Sequence, residues 1–163
     1  MTTIVFRDGV LCADTAVFDR DCYCGETEKI WRVAIHLGAG RLAGLAGSFR
    51  DMQMFRQWCE DGCPDGAAPT LRYEPSEGLV INADGSHVWL GNKGEVVPWR
   101  APYVAIGSGV HLAIGALAMG ATAEQALAVA CDHDAYTRRP ITVLRLERAA
   151  KSVGVIVLAE AAE

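Results

Sequence analysis

Short apolar runs joined by tight turns make up most of this sequence, and their order restricts the folds that it can adopt. The first two runs, 3–7 and 10–13, flank Asp8-Gly9, a dipeptide typical of two-residue hairpin turns. Polar residues 15–27 follow and are predicted as a loop with a ragged strand. The later strands are predicted at 28–35 and 41–46 across a turn at 36–40, at 79–82, 86–90, 94–99 and 102–106, and at 141–147 and 152–158.

Three helices are predicted between these strands. Ser48 is a good N-cap for a helix whose apolar residues recur at helical spacing to about residue 60. The Pro- and Gly-rich segment 61–78 is predicted as a loop, and an apolar helix is predicted at 110–119. Thr122-Ala-Glu-Gln125 forms a capping box for a helix at 123–135. The resulting order predicts an α+β sandwich of antiparallel sheets with helices outside it.

Composition narrows the class of protein. A chain of 163 residues with 51% hydrophobic and 21% charged residues suits one globular domain spanning 1–163. The net charge of −5 and the absence of a basic run argue against nucleic acid as a partner. No apolar stretch reaches the length of a membrane span, and Arg7-Asp8 interrupts any signal-like start. We therefore expect a cytoplasmic protein.

Four of the six cysteines raise the question of a metal site. Cys22 and Cys24, together with Cys59 and Cys63, could form a four-sulfur zinc site. Their spacings differ from the usual paired C-x-x-C pattern. The alternative is that all of these cysteines are reduced thiols, as expected of a chain with no secretory signal.

The start of the chain suggests a chemistry. An initiator methionine such as Met1 is normally removed when the second residue is as small as Thr2. Removal leaves Thr2 with a free α-amine beside its own hydroxyl, which is a general base and a nucleophile in one residue. Because such an amine titrates near pH ~8, it can accept a proton at cytoplasmic pH. The alternative is that Met-Thr is simply a common start.

Separated motifs resemble the proteasome β-subunit superfamily of N-terminal nucleophile hydrolases, and most of all its bacterial HslV type. The first is Thr2-Thr3-Ile4-Val5, followed by Asp14 at the end of the first hairpin and Lys29 one strand later. The resemblance implies a four-layer α-β-β-α sandwich of two antiparallel sheets. It also implies that Thr2 is the nucleophile, that Lys29 lowers its proton affinity, and that Asp14 holds Lys29 charged.

The run Ala43-Gly44-Leu45-Ala46-Gly47 resembles the A-G-x-x-G run of that family. The resemblance implies that the Gly44 N–H stabilises the oxyanion. It also implies that Leu42 and Ala46 line the pocket for the residue before the cut. Taken alone, the run would be a tight strand-to-helix turn.

Two later segments resemble the parts of the family that support the threonine amine. The first is Gly107-Ser108-Gly109, in which Ser108 would relay a proton. The second is Asp134-Ala-Tyr-Thr137, which is similar to a D-x-x-S segment, so Asp134 and Thr137 would support the amine. The family also binds a structural monovalent or divalent cation through backbone carbonyls, here matched by Cys131, Asp134 and Thr137. No cofactor is expected for the chemistry.

The chain also departs from the family pattern. Only the loop 61–78 stands where the family has a second long helix, so one helical layer is predicted to be reduced. Residues 86–101 lengthen the segment before the G-S-G turn, and the closing hairpin is more like that of a proteasome than of HslV. These features predict a compact, divergent member.

The leading hypothesis is an N-terminal threonine endopeptidase that degrades unfolded polypeptides. It would act inside a homo-oligomeric ring, with an AAA+ unfoldase as partner. One alternative is a catalytically silent ring-forming or adaptor relative. Another is an amidohydrolase of the same fold that acts on a small amide.

Overall fold

The computed structural model describes residues 2–33, 40–72 and 75–147, which form eleven strands and three helices. Most of the turn predicted at 36–40 and the whole strand predicted at 152–158 lie outside the described residues. The comparison of the closing hairpin with HslV and proteasome ends therefore stays a prediction.

Four strands form the first sheet, in the order β10-β1-β2-β11. Asp8 and Gly9 join β1 to β2 with positive φ angles of 50° and 78°, the backbone that two-residue hairpins require. The predicted hairpin is therefore confirmed. The strands are β1 (Thr3–Arg7), β2 (Val10–Asp14), β10 (Tyr103–Gly107) and β11 (Ile141–Arg145).

Five antiparallel strands form the second sheet, in the order β5-β6-β7-β8-β9. The pairing of β7 with β8, from Gly78 opposite Leu90 to Ile81 opposite His87, confirms the predicted strand pair there. The strands are β5 (Ile30–Val33), β6 (Arg41–Ala46), β7 (Glu77–Ile81), β8 (His87–Leu90) and β9 (Val96–Trp99).

A separate two-stranded hairpin occupies much of the segment predicted as a loop with a ragged strand. It consists of β3 (Ala16–Asp19) and β4 (Cys22–Glu26), whose register shifts between Val17 and Phe18. Most of β4 is exposed, so its sequence lacks the alternation of apolar and polar residues that identifies a half-buried strand.

One helix, α1 (Phe49–Glu60), covers the outer face of the second sheet within the described ranges. Ser48 caps it by accepting a hydrogen bond from the Asp51 N–H at 3.1 Å, as predicted. Phe55, Trp58 and Cys59 pack onto the sheet. Residues of the following loop complete the layer, since Leu71 is buried there and Cys63 and Ala68 are partly buried. The predicted reduction of this layer is confirmed.

Two helices, α2 (Val110–Ala118) and α3 (Ala123–His133), cover the first sheet. The capping box predicted at Thr122 is present. A third core, which includes Ile4, Ile30 and Ile106, fills the space between the two sheets. The layers therefore run α-β-β-α, as predicted. None of the helices described is long and apolar enough to cross a membrane.

Candidate active site

The start of β1 lies at the end of the inter-sheet space, beside a cavity of about 730 Å³. Thr2 lines this cavity although the residue is only 3% exposed. The β3–β4 hairpin and the first turns of α1 form the opposite walls. The cavity is lined by Thr2, Ala16, Val17, Phe18, Asp19, Arg20, Thr27, Lys29, Gly47, Ser48, Phe49 and Met52.

Asp14 and Lys29 form a buried ion pair beside Thr2. The Lys29 Nζ atom donates to Asp14 Oδ2 at 2.9 Å and to the Ala16 carbonyl at 2.6 Å. The other Asp14 oxygen accepts the Thr3 N–H at 2.9 Å, so one carboxylate links the lysine to the backbone after Thr2. Burial lowers the pKa of Lys29, and the opposing charge of Asp14 acts to raise it.

A second hydrogen-bond network joins Ser108, Asp134 and Thr137. Asp134 Oδ2 accepts from the Ser108 hydroxyl at 2.8 Å and from the Thr137 hydroxyl at 2.5 Å. The Ser108 N–H in turn donates to the Thr2 carbonyl at 2.9 Å. The structure thus brings together three residues that are separated by up to 29 positions and connects them to Thr2.

Thr3 belongs to this network, although sequence reasoning assigned it no role. Its hydroxyl lies 2.6 Å from the Thr137 hydroxyl and accepts the Gly109 N–H at 2.9 Å. The side chain is fully buried. The sequence did contain a signal for Thr3, which is a polar residue in an otherwise apolar strand. A buried hydroxyl needs hydrogen-bond partners, so a polar network around it could have been expected.

The three residues predicted around the oxyanion are not among those that line the cavity. Gly44 is in the middle of β6, between Ile30 and Leu79 on the neighbouring strands. A β-carbon at Gly44 would come within 2.6 Å of Ile30 Cγ2, so close packing explains the glycine. Leu42 and Ala46 are buried in the inter-sheet core and are not among the residues lining the cavity.

Gly47 is the glycine of this run that lines the cavity with Thr2. Gly44 as oxyanion donor, with Leu42 and Ala46 as pocket residues, stays a prediction from the resemblance. The cavity wall adds Gly47 as a candidate for the oxyanion and Phe49 and Met52 as candidates for the pocket.

Two metal sites are predicted from the sequence, a cysteine site for zinc and a backbone-carbonyl site for a structural cation. The four cysteines considered for zinc do not form one cluster, since no group of three or more His, Cys, Asp or Glu residues among the described residues could hold a metal. All six cysteines are free thiols. The Asp134 carboxylate already accepts from the Ser108 and Thr137 hydroxyls. A cation there would need the backbone carbonyls of 131, 134 and 137, and this stays a prediction.

Comparison with known proteins gives matches through structure alone. No protein-family model matches the chain, and no curated protein does. The fold is the sandwich of N-terminal nucleophile hydrolases, shared with HslV-like structures. HslV from Trypanosoma brucei is similar with a TM-score of 0.64 and 20% identity, over 89% of this chain and 99% of that chain. Thiobacillus denitrificans BPH in complex with epoxomicin is similar with a TM-score of 0.59 and 19% identity, over 90% of this chain and 98% of that chain.

Proposed function

We propose that this chain, once Met1 is removed, is an N-terminal threonine peptidase. The observation that carries the proposal is the position of Thr2: it lines a 730 Å³ cavity together with Lys29, whose charge partner Asp14 is fully buried. A buried ion pair is costly to desolvate. Its presence next to a residue that could carry both a nucleophile and a base supports a catalytic use.

The proposed reaction proceeds in two stages. The Thr2 hydroxyl oxygen attacks the peptide carbonyl, and the Thr2 α-amine takes the hydroxyl proton, directly or through water. That proton passes to the leaving amine as the C–N bond breaks, which leaves an acyl ester on Thr2. Water then attacks the ester, the amine accepts its proton, and the threonine hydroxyl is regenerated as the carboxylic product leaves.

Lys29 and Asp14 would tune this chemistry. A lysine ammonium near Thr2 lowers the pKa of both the α-amine and the hydroxyl. Asp14 keeps the ammonium in place, because it accepts from Lys29 Nζ and also from the Thr3 N–H. Ser108, Asp134 and Thr137 would orient the amine through the Ser108 N–H, which donates to the Thr2 carbonyl. Gly44 or Gly47 would donate to the oxyanion.

The proposed substrate is unfolded polypeptide, cut in a ring of identical subunits supplied by an AAA+ unfoldase. The likeness to HslV supports this assembly. A shared chamber would exclude folded proteins. Native mass spectrometry tests the ring, since a closed ring requires a mass that is a multiple of the 17.4 kDa chain.

Hydrolysis of a fluorogenic peptide tests the chemistry after intact-mass measurement has established that Met1 is absent. We expect Thr2→Ala to abolish turnover and Thr2→Ser to retain part of it, since serine keeps the hydroxyl and the amine. Thr15→Ala is the matched control, because the Thr15 hydroxyl binds the Pro140 carbonyl outside the cavity. If trimmed wild type is no faster than Thr2→Ala, the proposal fails.

Epoxomicin provides a test that does not depend on substrate choice, because the similar Thiobacillus denitrificans BPH was solved in complex with it. We expect one equivalent per chain to bind the trimmed protein and none to bind Thr2→Ala. A protein that keeps Met1 and binds none would instead be the silent relative of this fold.

A small-amide hydrolase is the second candidate, and the size of the cavity favours it. A single chain already encloses about 730 Å³, which is within the range of small-molecule sites. A monomer or dimer that hydrolyses small amides faster than peptides would support this candidate over the ring peptidase.

A further inference from the structure

Two consecutive residues at the start of β7 contact both sides of the candidate active site. Ser76 is buried and Glu77 is half-buried. Neither residue lines the 730 Å³ cavity. Each of them contacts a glycine that is itself adjacent to Thr2 or to the cavity wall.

Glu77 connects the second sheet to the end of the first. Its Oε1 atom accepts the Gly107 N–H at 2.9 Å, and its Oε2 atom accepts the Trp89 indole N–H at 2.9 Å. Hydrogen bonds to an ionised carboxylate are about twice as strong as those between neutral groups. Both oxygens are therefore used, one on β10 and one on β8.

Gly107 is in direct contact with the nucleophilic residue. It pairs with Thr3 across the first sheet and has a φ angle of 96°. A β-carbon at Gly107 would lie 1.8 Å from the Thr2 carbonyl oxygen, so only glycine fits. The next residue, Ser108, donates its N–H to that same oxygen. The Glu77 carboxylate thus holds Gly107, the residue directly before the Ser108 N–H that supports the Thr2 carbonyl.

Ser76 acts on the opposite side. A β-carbon at Gly47 would lie 2.2 Å from the Ser76 hydroxyl oxygen, so the Ser76 side chain occupies the space behind this part of the cavity wall. The Ser76 hydroxyl donates to Asp51 Oδ2 at 2.8 Å. Asp51 is fully buried, and its other oxygen accepts the Arg72 N–H at 2.9 Å. Helix α1 is in this way tied to the loop that precedes β7.

We propose that Ser76 and Glu77 are positioning residues of the active site: Glu77 holds Gly107 and Ser108 against the Thr2 carbonyl, and Ser76 supports the cavity wall at Gly47. This inference rests on the proposed peptidase function. A small displacement of reacting groups costs rate much more than it costs binding of a flexible substrate. The pair should therefore affect kcat more than KM.

The test compares Glu77→Ala, Glu77→Gln and Ser76→Ala in the trimmed protein, with steady-state peptide hydrolysis and melting temperature measured for each. We expect Glu77→Ala to lower kcat by roughly tenfold or more with KM nearly unchanged. Glu77→Gln should recover part of the loss, because its amide oxygen can still accept the Gly107 N–H. Ser76→Ala should lower kcat less, since the hydroxyl binds Asp51 rather than Gly47 itself.

The pH profile separates positioning from a merely structural role. Glu77→Gln removes a negative charge near Thr2, which lowers the pKa of the Thr2 amine. The rising limb of kcat should therefore move to lower pH. Glu95→Ala is the control, because this exposed carboxylate also accepts a backbone N–H, that of Lys93 at 2.9 Å, but in the turn between β8 and β9. It should leave kcat and the profile unchanged.

Each outcome has a distinct meaning. Wild-type kcat in Glu77→Ala, or the same loss in Glu95→Ala, would overturn the positioning role while the peptidase function stands. A trimmed wild type that neither hydrolyses peptide nor binds epoxomicin would overturn the function and the positioning role together. If Glu77→Ala does not fold, Trp89→Phe decides instead. It removes one of the two donors to Glu77, and a wild-type kcat in that variant would count against the proposal.

Discussion

The Asp14–Lys29 pair shows how much one contact can determine at the scale of residues. Asp14 is fully buried and accepts from Lys29, the Thr3 N–H and the Ala16 N–H. Removing one member of a buried ion pair leaves an uncompensated charge, whereas removing both does not. The stability of the fold and the proposed chemistry at Thr2 would thus be coupled through this carboxylate.

We expect Lys29→Met to lower the free energy of unfolding by about 3–5 kcal/mol, because it leaves the Asp14 charge buried. The double variant Asp14→Asn/Lys29→Met should lose less than the sum of the two single variants. Urea unfolding measures all three. Lys93→Met is the control at an exposed lysine and should change stability by less than about 0.5 kcal/mol. Additive losses would contradict the coupling.

The reactivity of the Cys63 thiol, which lies outside the candidate active site, should depend on pH. A hydrogen bond with Cys59 and the nearby Arg41 lower the pKa of Cys63 to about 7, against the effect of burial. Because the thiolate is the nucleophile, alkylation of Cys63 by iodoacetamide should be half-maximal near pH 7. Burial raises the pKa of Cys131 to about 11 and that of Cys12 to about 12. Both thiols should therefore react only at higher pH than Cys63.

Peptide mass spectrometry after timed alkylation measures each cysteine separately. Cys59→Ala should shift the Cys63 profile to higher pH, since it removes the hydrogen bond, whereas Cys22→Ala should not. A Cys63 rate that in the wild type first rises near pH ~8.5, the ordinary thiol range, would refute the prediction.

At the scale of elements, two glycines allow the effect of side-chain packing on stability to be distinguished from the effect of helix propensity. A β-carbon at Gly115, on the exposed side of α2, meets no atom within 4 Å. One at Gly47, directly before α1, meets the Ser76 side chain. A Gly→Ala substitution should therefore stabilise the protein at Gly115 and destabilise it at Gly47.

We expect Gly115→Ala to raise the free energy of unfolding by about 0.5–1 kcal/mol, through helix propensity. We expect Gly47→Ala to lower it by about 1–3 kcal/mol through overpacking. Thermal or urea unfolding of the two variants against wild type measures both. A stabilising Gly47→Ala would show that Ser76 can move away freely.

The sequence predicts best those turns and helix caps that depend only on neighbouring residues. The Asp8-Gly9 turn, the Ser48 cap and the Thr122 capping box depend on neighbouring residues, and all three are present. Where the β3–β4 hairpin lies, the sequence predicted only a loop with a ragged strand, because the exposed second strand lacks apolar alternation. Spacing alone cannot show which distant groups will meet.

At the scale of the whole molecule, the site combines segments from both ends of the chain. The contact of Thr3 with Thr137 spans 134 positions, and Glu77 reaches Gly107 across 30. The resemblance indicated Thr2, Asp14, Lys29, Ser108, Asp134 and Thr137, which the structure gathers at one end of the sandwich. Ser76 and Glu77 belong to no motif, and only the packing of the two sheets reveals them.

The burial of Thr2 also has a consequence for the order of events in the life of the chain. Because Thr2 is only 3% exposed, an aminopeptidase has little access to the Met1–Thr2 peptide bond once the chain has folded. Excision of Met1 then competes with folding, and early excision, while the nascent segment is still extended, decides the outcome. Two populations translated from the same sequence would then coexist, one with a free Thr2 amine and one that keeps Met1. The timing of excision during synthesis, rather than any later signal, would set their ratio.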